Sequence, residues 1–586
     1  MLLNARSLPS ASLGLSMLIC NVMGQPVVAQ VVPSVPAELP PPTAQPLPRE
    51  PQPPSSQPLP REPQTSPRLP PPAELLSPPS SPPDTVTPGD SPQTITVQQF
   101  KVTGSTVFGA AEFAKVTQPF TQRPLSLAEL FQVRDAVTKF YVDRGYITSG
   151  AFIPPQKLEG GVVEIRVIEG GLEDIKISGT RRLSPNYIRS RLAIATRKPL
   201  NRAQLLEALQ LLQLNPLIQN LSAELSAGTT PGQSLLEVKV AEAPTFDAQV
   251  TVDNARSPSV GTVRRQIRLS EANLLGLGDA LSVAYTNTNG SNSGDFSYTL
   301  PINPRNGTLG FNFGISSSNV IEPPFDILEI ESKSRYYELT YRQPIIQKPT
   351  QELAIGLTAT RRESEATLLD GEVPFPALGA DDGGKTKLTA LRFFQEWTQR
   401  SSRSVFAVRS QFSLGLNALN STINDSAPDS RFFAWRGQAQ WVRLLAPEAL
   451  LLVRSDLQLA DRSLLPFEQF GLGGQDSVRG YRQDALLTDS GLFASAEVRV
   501  PILRAPKSKV LLQVTPFVDF GTAWNRSGRA NPEDSTLASV GLGLRLQAGD
   551  RFTARVDWGI PLVSLEGEKR TLQENGLYFS VGYKLF

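Results

Sequence analysis

No histidine occurs among the 586 residues. Its absence excludes Ser-His-Asp and Cys-His catalysis and histidine-ligated metal sites. It also removes the side chain that titrates nearest neutral pH. Cysteine occurs once, at Cys20, so the chain cannot form an internal disulfide or a cysteine metal cluster. Net charge is only +2, which argues against a strong whole-chain field for nucleic acid. Long hydrophobic runs are also missing: beyond the N-terminus nothing approaches the ~18 apolar residues of a membrane helix. The N-terminus itself, residues 1–29, has the layout of a secretory signal. Arg6 supplies the positive charge, 13–22 the apolar core, and Val27-Val28-Ala29 the approach to a cleavage site. Cys20 would leave with it, and Ile19 is bulky where lipidation needs a small residue. An exported chain without a membrane helix is either soluble or a closed barrel, because every backbone polar group in lipid must be paired.

The length exceeds one ordinary domain. Residues 30–93 are dominated by proline, serine and glutamine, and Gln45-Pro-Leu-Pro-Arg-Glu-Pro-Gln52 recurs at 57–64. Proline donates no backbone hydrogen bond and the apolar mass is small, so an extended tether is expected, with a docking ligand as the other reading. From Thr94 the composition is globular. Strands are expected at 95–102, 149–153 and 162–169, and helices at 110–116 and 125–143. In the second helix Leu127, Leu130, Phe131, Val137, Phe140 and Tyr141 are expected on one face. The order then returns, with a strand at 172–178, helices at 184–193 and 201–212, and strands at 218–225 and 234–240. Two copies of one β-α-α-β-β unit define domains 94–171 and 172–243.

Beyond Pro244 the period becomes two. About sixteen alternating segments fill 244–586, separated by Gly, Asn, Asp and Ser, which predicts a transmembrane antiparallel β-barrel. In 551–560, Phe552, Ala554, Val556, Trp558 and Ile560 alternate with Arg551, Thr553, Arg555 and Asp557. The chain ends on Leu577, Phe579, Val581, Tyr583 and Leu585, then Phe586. A terminal phenylalanine resembles the outer-membrane assembly signal. Here it is one residue out of phase, so either Leu585 takes the outward place or the last residue twists.

One stretch interrupts this pattern, Gly471-Leu-Gly-Gly-Gln-Asp-Ser-Val-Arg-Gly-Tyr-Arg-Gln-Asp484. It is too rich in glycine and charge for a strand, and it suggests a loop folded back into the barrel. Strand parity places its neighbours. Around Asp519 the even positions Leu512, Val514, Pro516, Val518 and Phe520 are apolar, so Asp519 faces the lumen, with Phe517 sharing that face. The same count on 491–500 turns Ser495, Glu497 and Arg499 inward. Two inward carboxylates then await a cation. Arg479 is the natural candidate, since its planar fork binds a carboxylate twice and Gly480 lets the tip turn tightly.

These pieces together resemble the two-partner secretion transporters of the haemolysin secretion/activation type (TpsB; ShlB/FhaC/HecB), in the superfamily that includes BamA. The resemblance covers 94–586. It rests on Gly145-Tyr-Ile-Thr-Ser149, Phe152-Ile-Pro-Pro-Gln156 and Val162-Val-Glu-Ile-Arg-Val-Ile-Glu-Gly170, then Val478-Arg479-Gly480-Tyr481, Ala496-Glu-Val-Arg-Val-Pro501 and Phe517-Val-Asp-Phe-Gly521. It implies a sixteen-stranded outer-membrane barrel, two periplasmic α+β POTRA domains, and export of one large partner exoprotein of the TpsA kind. It also implies that Arg479 pairs with Asp519, with Gly521 and Glu497 among the lumenal partners. Whether Glu497 meets Arg499 or another arginine is open. Whether the Arg479 contact serves transport or only neutralises lumen acids is open too. The POTRA edges could receive a client strand or only scaffold barrel assembly. No amphipathic plug helix is visible before Thr94, a departure from members that carry one.

No catalytic, cofactor or metal constellation emerges. Gly276-Leu-Gly278 and Gly541-Leu-Gly543 lack the rest of a phosphate loop, and Gly290-Ser-Asn-Ser-Gly294 has no histidine base. Asp253, Asp381 and Asp382 are expected as loop carboxylates rather than calcium ligands. The expected partners are the exoprotein, outer-membrane lipid, and the barrel-assembly machinery during biogenesis. A general assembly factor of the BamA type is the alternative, though such factors usually carry more POTRA domains. A diffusion porin would leave the paired repeats unexplained.

Overall fold

The computed structural model describes residues 94–586 except 159, 376, 427, 527–528 and 566–568. The expected signal segment and proline-rich tether lie outside the described residues. The described chain divides into two compact units, one of 94–244 with 275–278 and the other of 245–274 with 279–586.

The first unit holds the repeated α+β order. In the first copy, Gln99–Thr103 runs parallel to Val162–Ile168, and Gly150–Phe152 lies antiparallel on the other side of that strand. In the second, Gly171–Ser178 is parallel to Gln233–Glu242, with Ile218–Ala227 antiparallel beyond it. The last strand is central in both. Each copy carries two helices, Ala110–Thr117 and Leu127–Asp143, then Pro185–Ala195 and Arg202–Gln213.

The likeness extends to single atoms. A Cβ on Gly104 would lie 2.4 Å from the Val167 carbonyl oxygen, and one on Gly179 would lie 2.3 Å from that of Val240. Both glycines have positive φ, +86° and +84°, which other residues adopt only with strain. Two residues beyond each carbonyl, a glutamate ties down the loop that follows the glycine. Glu169 accepts from the Thr106 N–H at 2.7 Å and the Tyr141 hydroxyl at 3.1 Å. Glu242 accepts from the Arg181 and Leu183 N–H groups at 2.6 and 2.9 Å.

Two expectations change here. The strand foreseen over 95–102 is two pieces, because Ile95–Val97 pairs separately with Arg123–Leu125. The buried stripe of Leu127–Asp143 is Leu130, Val133, Val137 and Tyr141. The 3.6-residue period sets Leu127 and Phe131 on its flank, and Leu127 is 61% exposed. Ser126 starts this helix with a reciprocal capping box to Glu129.

The second unit is a closed antiparallel barrel of sixteen long strands among the described residues, with a two-residue piece, Val373–Pro374, paired to the far end of Gln351–Leu368. They are β1 (Phe246–Asp253), β2 (Arg264–Ala272), β3 (Ala280–Asn287), β4 (Ser291–Pro301), β5 (Thr308–Asn319) and β6 (Glu331–Lys348). Next come β7 (Gln351–Leu368), β8 (Lys385–Arg400), β9 (Ser404–Leu416), β10 (Phe433–Ala446) and β11 (Ala449–Ala460). The last are β12 (Ser490–Ala505), β13 (Val510–Trp524), β14 (Thr536–Ala548), β15 (Phe552–Pro561) and β16 (Leu577–Lys584). β16 closes on β1, from Ser580 opposite Asp253 to Lys584 opposite Gln249. Connections at the near end, where the chain enters, are short, such as 349–350 and 447–448. Those at the far end are mostly longer, 288–290 being the exception, and 461–489 is the longest. This is the usual asymmetry of outer-membrane barrels.

Alternation sets the faces. On β13, Gln513, Thr515, Phe517, Asp519 and Ala523 are buried, while Val518 and Phe520 are 49% and 42% exposed on the outside. At the C-terminus the phase continues through Leu585, whose N–H bonds to the Ala248 carbonyl at 2.8 Å. Phe586 lies past the strand, its ring 5.6 Å from that of Phe246. Asp253 is not a loop carboxylate: it ends β1 and takes hydrogen bonds from Arg264 Nε and Nη2 at 3.1 and 3.0 Å. Parity turns it inward, where an arginine on the next strand meets it. Asp381 accepts from the backbone N–H groups of Gly383 and Lys385, both at 2.9 Å, and so closes a turn.

Candidate functional site: a loop locked into the barrel lumen

Residues 461–489 leave the far end of β11 and fold into the lumen. The ends of the glycine-rich stretch are more regular than expected. Phe470–Leu472 pairs with Leu486–Thr488 as a short hairpin, so Gly471 and Leu472 are strand residues. Between them the chain turns at Gly473 and Gly474 and carries Val478-Arg479-Gly480-Tyr481 to the wall.

Arg479 has no solvent exposure. Its Nε and Nη2 donate to the two oxygens of Asp519 at 2.7 and 3.0 Å, and its Nη1 donates to Glu497 at 2.7 Å. Its backbone N–H adds a bond to Asp519 at 3.2 Å. The guanidinium carbon lies 3.3 Å from the centroid of the Phe517 ring. Phe517, the one large apolar residue on the inward face of this segment, is thus the platform on which the guanidinium stacks. Asp519 is held from behind by Ser495 Oγ at 2.6 Å. Glu497 also takes Arg499 Nε at 2.8 Å and Arg555 Nη2 at 3.4 Å, so the open choice between Arg499 and another arginine resolves to both. Asp557 completes the cluster, 3.9 Å from Arg479 and paired with Arg555. Charges this deeply buried are tolerated because each has opposite charge beside it, and Arg479, Asp519 and Glu497 are hydrogen-bonded as well.

The rest of the motif fixes the backbone. Gly480 has φ +101°, and a Cβ there would lie 3.2 Å from the Gly559 carbonyl oxygen. Its N–H donates to the Tyr578 hydroxyl at 2.9 Å, and that hydroxyl donates to the Tyr481 carbonyl. The Tyr481 hydroxyl lies 2.8 Å from the Ala538 carbonyl oxygen. Val478 is fully buried, with Leu472, Phe493, Ala523 and Leu537 in the same cluster. The wall has recesses where the loop approaches. A Cβ on Gly521 would meet Leu472 methyls at 2.9 Å and Val478 Cγ2 at 3.0 Å, and one on Gly559 would meet the Gly480 nitrogen at 2.6 Å.

A second anchor has no signature in the sequence. Glu468, at the start of the loop, accepts two hydrogen bonds from Arg392 on β8, at 2.9 and 2.7 Å, and both side chains are buried. The loop is therefore fastened with opposite charges to two walls: Glu468 to β8, and Arg479 to β12 and β13. A third tie, Arg482 to Glu322 at 2.8 and 2.9 Å, joins it to the connection between β5 and β6. Asp557 was visible in principle, as an inward position by parity. Glu468 and Arg392, 76 residues apart, were not.

A sixteen-stranded barrel, two α+β repeats ahead of it, and an arginine-tipped loop sealed in the lumen define the class of POTRA-bearing outer-membrane barrels. The chain belongs to the haemolysin secretion/activation protein family ShlB/FhaC/HecB, whose model matches residues 232–546, while the ShlB-type POTRA domain model matches 95–170. It is an outer-membrane protein of a two-partner secretion transporter family, with its POTRA domains in the periplasm. The outer membrane transporter CdiB of Escherichia coli O6:K15:H31 is 27% identical over 503 residues, covering 82% of each chain. The heme/hemopexin transporter protein HuxB of Haemophilus influenzae is 23% identical over 476 residues, covering 77% of this chain and 80% of that one. Solved structures of CdiB from Escherichia coli and Acinetobacter baumannii share the fold. Their TM-scores are 0.65 and 0.59 at 23% and 19% identity, covering 86% and 85% of this chain and 94% and 91% of theirs.

Proposed function

We propose that this chain exports one large partner exoprotein through its barrel, and that the loop 461–489 is the element that must be held correctly for export. The observation that carries this is the seating of Arg479. It is fully buried, bound twice to Asp519 and once to Glu497, at the tip of a loop that crosses the lumen. Glu497 is already met by Arg499 and Arg555 from the wall, so neutralising it needs no loop, whereas Asp519 takes its ion pair from the loop's Arg479. The two α+β repeats offer sheet edges, Gln99–Thr103 and Gly150–Phe152 in the first copy, to which an unfolded client could add a strand. Lipid surrounds the barrel, and the barrel-assembly machinery inserts it. No hydrolytic step is assigned to the chain.

The test is Arg479→Ala in cells that carry the client, expected to be a large β-rich exported protein encoded nearby. A heat-modifiable, correctly inserted barrel with client lost from the medium supports the reading. Unchanged secretion overturns it. Depletion of the chain separates the assembly-factor alternative: loss of one secreted protein fits export, and loss of many outer-membrane proteins fits general assembly.

A further inference from the structure

The outward face of the barrel is apolar along its middle, as lipid requires, and one sector of its far end breaks that pattern. β6 and β7, at 18 residues each, are the longest strands, and β8 has 16. On β6 the outward series Tyr341, Leu339 and Tyr337 continues upward into Arg335 and Lys333. On β8 the series Phe393, Leu391 and Thr389 continues into Lys387 and Lys385. β7 lies between them and presents Arg361, Glu363 and Glu365.

Register turns these into rows. Arg335 stands opposite Glu363, and Glu363 opposite Lys387. One step higher, Lys333 stands opposite Glu365, and Glu365 opposite Lys385. A step is two residues, roughly 6.6 Å along the strand. The acids hold part of this charge. Glu363 bridges Arg335 at 2.6 Å and Arg361 at 2.9 Å, and Glu365 is 3.4 Å from Lys385. Counting Glu331, which is 3.1 Å from Lys333, and Asp381, whose carboxylate takes the Lys385 backbone N–H, five cations meet four carboxylates and leave one positive charge in excess, with Lys387 outside the ion pairs of this cluster. The Lys333 and Arg335 side chains are 68% and 57% exposed. Elsewhere among the described strand residues, the outward positions at the far end carry one charge, Arg265 on β2.

Charge facing lipid at mid-membrane is costly, and these residues sit just above the apolar band, where headgroups lie. The rows therefore present spaced ammonium and guanidinium donors sideways, toward the headgroup layer of the outer leaflet rather than into the pore. We propose that the outward far-end face of β6, β7 and β8 binds the phosphates of a phosphorylated outer-leaflet glycolipid of the lipid A type. Charge complementarity selects this occupant. Phosphate accepts several charge-assisted hydrogen bonds at once, and the acyl chains would lie along Tyr337, Leu339, Leu391 and Phe393. The site does not depend on the exported client.

The full chain, folded in detergent, is tested with bisphosphorylated lipid A, its dephosphorylated form, and inorganic phosphate alone. Native mass spectrometry reads retained lipid, and thermal unfolding reads protection. Lipid A is expected to bind and protect, and the triple variant Lys333→Gln, Arg335→Gln, Lys387→Gln to bind at least about tenfold more weakly. Arg443→Gln with Arg504→Gln, at exposed positions close to the near ends of β10 and β12, should bind as the unaltered chain does. Equal binding of the dephosphorylated lipid overturns the proposal without any variant. Equal protection by inorganic phosphate, showing a free-ion site, overturns it too. So does a folded triple variant that binds normally.

Discussion

Arg479 and Asp519 face each other through two parallel hydrogen bonds, of 2.7 and 3.0 Å, with neither residue exposed to solvent. The fork geometry matters as much as the charge. Lysine offers one point of attachment and cannot also reach Glu497 while lying flat on Phe517. Arg479→Lys is therefore expected to lose most secretion while keeping the charge. Asp519→Asn should also lower the temperature at which the folded barrel converts to the slower-migrating unfolded form, since breaking a buried pair costs about 3–5 kcal/mol. Gel mobility after graded heating measures the second effect, and client in the medium the first.

Glu468 and Arg392 give a separate handle on the same loop. Arg392→Glu places two carboxylates in contact and should release the loop base from β8. The paired exchange Arg392→Glu with Glu468→Arg restores opposite charges. If the anchor acts through charge pairing, secretion and protease resistance of the loop fall in the single variant and recover in the exchange. No recovery would show that the packing around Glu468, not the pair, is what matters.

Gly559 is the wall position that Gly480 rests against. A methyl group there would lie 2.6 Å from the Gly480 nitrogen, closer than atoms can approach. Gly559→Ala should unseat the loop tip without touching a charge, and ion conductance of the barrel in a planar bilayer should rise. Gly480→Ala combines a crowded Cβ with φ +101° and is expected to cost on the order of 1–3 kcal/mol.

The α+β repeats should weaken in acid. The Glu129 carboxyl is held down at about 2 by the Ser126 backbone N–H and by Arg123. Glu242 is lowered too: burial pushes it up, but the N–H groups of Arg181, Leu183 and Arg182 outweigh that. A carboxyl lowered on folding stabilises the fold above its ordinary value, 4.5, and loses that contribution as pH falls toward the folded value. Thermal stability of the repeats is expected to hold at neutral pH and decline from about pH 4.5 toward about 2. Among the described residues, all α-helices lie in this unit, so far-ultraviolet helical dichroism of the full chain reports it. Glu129→Gln should flatten the profile.

Strand faces were legible because a β-strand reverses its side chains at every residue. Asp519, Glu497 and Arg499 could be placed inside from apolar neighbours alone. The repeat of the α+β unit was legible for a similar reason, since helical and strand periods alternate in the same order twice. Phe517 spoiled the parity rule on its strand, and the structure shows why: an aromatic ring faces inward to carry the guanidinium. Leu127 misled because an apolar residue on the flank of a helical stripe looks the same in sequence as one at its centre.

By itself, the sequence determined the barrel with its inward and outward faces, the doubled α+β unit, and Arg479 as the cation of the loop. Each rests on local periodicity or on residue chemistry, which neighbouring positions reveal. Only the tertiary structure decided that β16 closes on β1, that Arg479 spans both Asp519 and Glu497, and that Glu468 fastens the same loop to β8. Those pairings depend on barrel register and on the path of a loop across the lumen. Both are set by packing between residues far apart in the chain, where no local pattern reaches.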